Sequence, residues 1–448
     1  MAKNIFISKN WLQIILAIVI VISIIGILAL RIYAIYNTVS IHTWDDIGYR
    51  NYAIESANYI GNISKALQDV FLPNADLLDN SRAIGYHSWL VLFLKLRISG
   101  NPEQVFQLAN LGLLIFQAII LFIFAKWSTK SQLFAGTLTF LYLSSPIVFG
   151  LNRWVMTENY VMLGLLVFSC IPIWLFSQDF RPLYRREILA GIGGAWLIGM
   201  FGTIREYALP SFFLTAIATS MGLIWQKRLD AFLSFTIIFA ICCLTFLEGW
   251  VQLFKLSRYR VTQSEYYHPL QEWIPHFFVH VIGIALAVFL LVNIVIIGIN
   301  IYQNYQSKQW DFKQFKLDLS SIRFNQGNNP LQLLWLTNFS LVLLYSFIIL
   351  ISQSRQARAG ILLIFSLLSL ILISIRYFNI SEKIFKASWF NFISLILIFL
   401  SWGITYHQLF IAFDGGKSYT HTAYDLEYYN HPLYLRPLRS PEDMHTEL

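Results

Sequence analysis

Charge is scarce in this chain. Only 12% of its 448 residues are Asp, Glu, Lys or Arg, against 57% hydrophobic. That balance excludes an ordinary water-soluble domain, which carries about a quarter charged residues. Cysteine is scarcer still. The three present, Cys170, Cys242 and Cys243, all lie inside apolar runs. They offer neither a disulfide framework nor a metal-ligand spacing. The chain also lacks a Gly-rich phosphate loop and any segment that reads as a soluble catalytic domain. Its net charge of +8 is scattered between apolar runs rather than gathered in one patch, which argues against a nucleic-acid partner.

What the chain has in quantity is long apolar runs. Eleven are long enough to be read as membrane helices, at roughly 11–35, 104–125, 131–149, 155–177, 187–203, 207–225, 231–254, 276–301, 331–352, 359–375 and 387–409. The expected fold is therefore all-α: one polytopic membrane bundle of about eleven spans over residues 1–448. Aromatic residues make up 17% of the chain, which suits belts at two interfaces. Lys3 and Lys9 precede the first run, and no small-residue cleavage site follows closely, so it reads as a retained signal anchor with its N-terminus in the cytoplasm. The connections then assigned to the inside carry half of the 32 basic residues in much less sequence, Lys126, Lys130, Arg228, Arg376, Lys383 and Lys386 among them. The tail 414–448 falls outside.

The first outside segment, 36–103, is long. Tyr49, Tyr52, Ala53, Ser56, Ile60, Ile63 and Leu67 recur at helical spacing, with Arg50, Asn51, Glu55 and Asn58 on the other side. This predicts a helix lying in the membrane interface. Residues 83–94 are apolar but too few to span, and read as a second interfacial or re-entrant helix.

An acidic pair stands just past the first run: Thr43-Trp44-Asp45-Asp46-Ile47-Gly48-Tyr49. Carboxylates held against a lipid surface are costly and invite a functional reading. The competing reading is a helix N-cap, since Asp and Thr are favoured ahead of a helix. The two readings are compatible, because one Asp can cap while the other reacts.

Three more motifs follow on the same expected face. Arg82-Ala83-Ile84-Gly85-Tyr86-His87 opens the short apolar helix. Arg153-Trp154-Val155-Met156-Thr157-Glu158 places an acid in a turn before a span. Thr203-Ile204-Arg205-Glu206 closes the next span with a cation. In this order the four pieces resemble the membrane glycosyltransferases of the GT-C fold, in the branch that contains protein O-mannosyltransferases and aminoarabinose transferases. The likeness covers about residues 11–226; residues 227–413 share only the layout of further spans. The family more often has Asp-Glu at the acidic pair and prolines beside the second motif.

The resemblance implies an enzyme of a bacterial inner or plasma membrane with an extracytoplasmic active site. It would move a sugar from a polyprenyl-phosphate donor to a glycan, lipid or protein acceptor. Asp45 is the first choice for general base and Asp46 the second, with Glu158 as an orienting acid. Arg82, Arg205, Arg355 and Arg358 are candidates for the donor phosphate, and Tyr49 and Tyr86 for substrate contact. Each has a plainer reading: a solvated first-turn Glu for Glu158, snorkelling or ordinary lipid contact for the arginines, and neutralisation of Arg205 by Glu206. No acid-x-acid motif is present, so the expectation is metal independence and no cofactor. The alternatives are a multi-span transporter or flippase of lipid-linked sugars, and a polysaccharide polymerase or ligase. Charges gathered at one face, with no internal repeat, fit a transporter less well.

Overall fold

The computed structural model describes residues 9–37, 44–59, 62–71, 84–153, 157–176, 184–198, 208–244, 282–306, 330–351 and 360–412. Among these the chain is helical, with no strand. The helices are α1 (Lys9–Asn37), α2 (Trp44–Tyr59), α3 (Ile63–Phe71), α4 (Ile84–Leu96), α5 (Pro102–Thr129), α6 (Gln132–Leu143), α7 (Pro146–Arg153) and α8 (Thr157–Phe176). They continue as α9 (Tyr184–Leu197), α10 (Leu209–Trp225), α11 (Leu229–Leu244), α12 (Ile284–Gln306), α13 (Pro330–Ile351), α14 (Gly360–Tyr377), α15 (Glu382–Phe385) and α16 (Ser388–Ala412). Six of them are long and apolar enough to cross a membrane: α1, α5, α8, α12, α13 and α16. The described parts of α6, α9, α10, α11 and α14 are apolar but shorter.

Local chemistry sets the helix ends. Asn101 caps α5 by accepting the Glu103 N–H at 3.0 Å, and Pro102 fills the first position, where no N–H is needed. At the other end Lys130 takes a left-handed φ of 55° and its N–H donates to the Lys126 carbonyl at 2.8 Å. Ser131 then caps α6 through the Phe134 N–H at 3.2 Å.

The run 131–149, expected as one helix, is two. Pro146 has no N–H and disfavours a helical residue before it, so α6 ends at Leu143 and α7 starts afresh. The expected surface stripe also divides. Tyr49, Tyr52, Ala53 and Ser56 belong to α2 and Ile63 and Leu67 to α3, with Ile60 outside the described residues; Ile63 and Leu67 are exposed while Ala66, Asp69 and Val70 face inward. Arg50, expected on the polar side of that stripe, is buried. The stretch around 83–94 forms α4, which packs inside the protein against α2, α3 and α5.

Helices associate within lipid through close packing and polar contacts rather than water exclusion. The α1–α16 seam illustrates this. Gly26 leaves room for the Trp402 ring, whose indole N–H donates to Ser23 at 2.9 Å. Phe134, Phe289, Phe385 and Phe390 form an aromatic core joining α6, α12, α15 and α16, with Phe134 and Phe385 centroids 4.9 Å apart. The outward face of α1, including Ile14, Ile18, Ile22 and Ile25, is exposed and suits lipid contact.

Hydrogen bonds and ion pairs sort the helix termini into two ends. One end gathers the start of α1 (Gln13 donates to the Lys386 carbonyl at 3.0 Å), the C-terminal ends of α5, α8 and α14, and the starts of α9 and α11. There Arg228 pairs with buried Glu187 and donates to the Leu175 carbonyl at 2.9 Å. The opposite end holds the C-terminal part of α1, α2, α4, α7, and the N-terminal parts of α5 and α8.

Candidate functional site

This opposite end holds most of the described candidate residues. Asp45 and Asp46 lie in the first turn of α2, so the acidic pair does open a helix. Helix geometry puts position 45 one turn before Tyr49 and position 46 one turn before Arg50. Tyr49 meets the Tyr86 ring edge-on at 6.0 Å between centroids, and the His87 ring at 5.5 Å. Tyr52 lies 4.6 Å from His87. The first two sequence motifs thus meet at the α2–α4 contact.

The third motif joins through α8. Tyr86 and Tyr160 rings lie 5.9 Å apart. Glu158 is 3% exposed, so it is not the solvated first-turn residue of the plainer reading. The Thr157 hydroxyl approaches its Oε2 at 3.4 Å. Tyr86 is fully buried and its hydroxyl donates to Asn110 Oδ1 at 2.8 Å. No part of its side chain is open to solvent in this arrangement. Arg82, Arg205, Arg355 and Arg358 lie outside the described residues.

A polar network runs beneath the tyrosines. Asn159 Nδ2 donates to the Asn110 carbonyl at 3.1 Å. Gln117 Nε2 donates to Asn159, through both its backbone carbonyl and Oδ1. The Tyr142 hydroxyl donates back to Gln117 Oε1. Four helices, α4, α5, α6 and α8, are thereby tied by groups that are all buried. Such a network rigidifies what rests on it. Reading the sequence for carboxylates and arginines missed these amides. The available signal was Gln107, Asn110 and Gln117 at helical spacing inside an apolar run.

Two cations brace the same end. The Arg50 guanidinium pairs with Glu103 at the start of α5 and lies over the Phe106 ring at 5.7 Å. Arg31, inside the first apolar run, is buried, donates to the carbonyls of Leu143 and Val148, and stacks on Phe149 at 4.6 Å. It satisfies carbonyl oxygens at the α6–α7 break. Its signal in the sequence was a lone cation within a span.

His87 sits between Tyr49 and Tyr52, 2% exposed, and its Nδ1 has no hydrogen-bond partner among the described residues. Burial pushes the imidazole down to about 3, so it is neutral at ordinary pH. The three cysteines are free thiols.

Comparison of the sequence with protein-family models and curated proteins, and of the fold with solved structures, finds no match. The fold and the described site define an all-helical protein whose apolar helices suit a membrane, with a buried polar and aromatic cluster at one end of its bundle.

Proposed function

We propose that the chain is an inverting glycosyltransferase that moves a sugar from a polyprenyl-phosphate carrier to an acceptor at the extracytoplasmic face. One observation carries the reading. The helix opening with Asp45 and Asp46, the Tyr49–Tyr86 contact and buried Glu158 converge at one end of the bundle, though they come from three separate motifs. The reading takes the eleven apolar runs as spans and α2 and α3 as helices at the membrane surface. On this reading the basic connections keep the N-terminus and the end of the bundle away from the candidate site in the cytoplasm.

An acceptor hydroxyl is a weak nucleophile at neutral pH. In this scheme Asp45 takes its proton as the oxygen attacks the anomeric carbon from the face opposite the phosphate. The new glycosidic bond forms as the sugar–phosphate bond breaks, and the polyprenyl phosphate leaves with the electron pair. General-base assistance of this kind contributes roughly 10²–10⁴-fold. Asp46 and Glu158 orient the acceptor or the base. Arg82, Arg205, Arg355 and Arg358 stabilise the departing phosphate, a task suited to a planar guanidinium. Tyr86, pinned by Asn110, holds Tyr49 and through it the α2 helix.

The test is Asp45→Asn in purified protein supplied with a polyprenyl-phosphate sugar. Asn caps helices about as well as Asp, so the change spares a capping role and removes only the base. The expected result is loss of transfer by at least 100-fold with donor binding retained. Full activity would overturn the assigned role. Movement of the lipid-linked sugar across liposomes without a new glycosidic bond would favour a transporter.

A further inference from the structure

At the end of the bundle away from the candidate site, a pocket of about 330 Å³ opens between two apolar helices. It is lined by Ser128, Thr129 and Lys130 from the end of α5, and by Arg376 from the end of α14. Asn379, Ser381 and Glu382 come from the turn into α15. Nothing in the proposed transfer reaction uses it. Along α5, Glu103 and Thr129 are separated by roughly 40 Å at 1.5 Å per residue.

The chemistry of the lining is specific. Lys130 and Asn379 are exposed, and Arg376 is half-buried with its guanidinium over the Trp127 ring at 5.4 Å. Lys130 and Arg376 have no carboxylate partner among the described residues. The one acid in the lining, Glu382, is already paired with Lys386 at 3.2 Å. Cations in the last turn of a helix are often there only to satisfy its carbonyl oxygens. Here backbone groups do that work. The Lys126 carbonyl takes the Lys130 N–H, and those of Ser374, Ile375 and Arg376 take the N–H groups of Phe378, Ile380 and Asn379. The side-chain donors of Lys130, Arg376 and Asn379 are left pointing to a ligand or to water. The Ser381 hydroxyl accepts the Lys383 N–H, and its own proton remains for donation.

The depth of the pocket is set by its neighbours. Trp127, Trp335, Tyr377 and Phe378 cluster beside it, with Trp335 and Tyr377 rings stacked at 6.3 Å and the Trp335 indole N–H donating to Ser374 at 2.8 Å. Tryptophan and tyrosine collect at the level of lipid headgroups. Lys126, one helical turn before Lys130, and Lys383, next to Glu382, are exposed and add positive charge in the neighbouring sequence. The charge rule assigns this end to the cytoplasm, whose leaflet carries the anionic lipids. Basic pockets between apolar helices at that level bind phosphate headgroups.

We propose that this pocket is a binding site for a phosphate ester, the chemistry an anionic phospholipid headgroup presents. Arg376 and Lys130 hold the oxyanion, and Asn379 and Ser381 complete the donor set. The fatty chains lie along the outer surface of α5 and α14. The site is separate from the acidic cluster and does not depend on the reaction assigned to it.

The test titrates the purified full-length protein, in neutral detergent, with short-chain phosphatidylglycerol, short-chain phosphatidylcholine and inorganic phosphate, reading the thermal midpoint. Phosphatidylglycerol should raise the midpoint saturably, since a ligand of the folded state stabilises it. Phosphatidylcholine should not. Arg376→Gln and Lys130→Asn should each weaken the apparent affinity at least tenfold. Asn tolerates the left-handed backbone at position 130, so that variant keeps the turn. Glu382→Gln, which removes the acid and frees Lys386, should tighten binding, a gain that misfolding cannot mimic. A saturable response to inorganic phosphate that the same variants lose would name a soluble phosphate as the occupant. Equal responses to the two lipids, or unchanged phosphatidylglycerol affinity in both weakening variants, would overturn the proposal.

Discussion

The guanidinium of Arg50, in the second turn of α2, is paired with the carboxylate of Glu103, in the first turn of α5. It is the described ion pair that ties the helix opening with the acidic residues to the long helix beneath it. Arg50 is 3% exposed, whereas Glu103 keeps about a third of its side chain in solvent.

Glu103→Gln takes the pairing charge away from the buried Arg50 guanidinium and should cost about 3 kcal/mol, the lower end of the range for broken buried pairs. Replacing both residues with Met should cost less than the two single changes added together. Thermal or denaturant unfolding of the four proteins, read as a double-mutant cycle, checks this.

His87 makes stability depend on pH in a stated direction. Its imidazole titrates near 6.5 in the unfolded chain and is pushed down to about 3 by burial. Between those values the unfolded chain binds a proton that the folded protein does not. The contribution is therefore complete above about pH 6.5 and falls as pH drops toward 3, with a slope of up to about 1.4 kcal/mol per unit. His87→Phe keeps a ring between Tyr49 and Tyr52 and should flatten the loss between pH 7 and 5. Midpoints of the two proteins that fall in parallel would contradict this.

Gln117 is the junction of the buried amide network, and Gln117→Leu leaves both the Tyr142 hydroxyl and Asn159 without their partner. The expected cost is about 2–3 kcal/mol, since stranded buried groups forfeit their solvation. Adding Tyr142→Phe should then cost little more, because its hydroxyl is already orphaned. Additive losses in unfolding measurements would mean the two groups act separately.

Gly283 holds φ at +84°, and a Cβ there would stand 2.8 Å from Pro146 Cδ at the α6–α7 break. Gly283→Ala should destabilise by about 2 kcal/mol, through a strained backbone and the clash together. Gly298, with open space around its Cα and no positive φ, is the matched control, and Gly298→Ala should be neutral or slightly stabilising. Thermal midpoints of the two variants make the comparison.

The helical architecture is legible in the sequence because a bilayer demands long apolar runs. A helix lies in each of the eleven, with most described edges within a few residues of the hydropathy reading. What averaging over a run hides is a local event inside it. Pro146 divides the third run, yet apart from Ser144 and Ser145 the residues on either side are apolar enough for the average to read as one span. The site is legible in part. Tyr49, Tyr86 and Glu158, expected on one face, come to one end of the described bundle. The burial of Arg50 is not legible, because its partner lies far along the chain and no periodicity within α2 reports it. The same holds for Asn110, Gln117 and Asn159. Each is visible as a polar residue in an apolar run, but only tertiary packing says that they find one another.

The 28 residues of α5 form a column about 42 Å long with no proline past its first position and a cap at either end. It carries Glu103 and Asn110 in the half toward one tip, Gln117 at its middle, and Ser128 and Thr129, followed by the cap residue Lys130, at the other tip. A rod without a joint offers no hinge at which a pull on one tip could be absorbed. An occupant that tugged on the basic end would pull on the same backbone that carries the floor under the tyrosines.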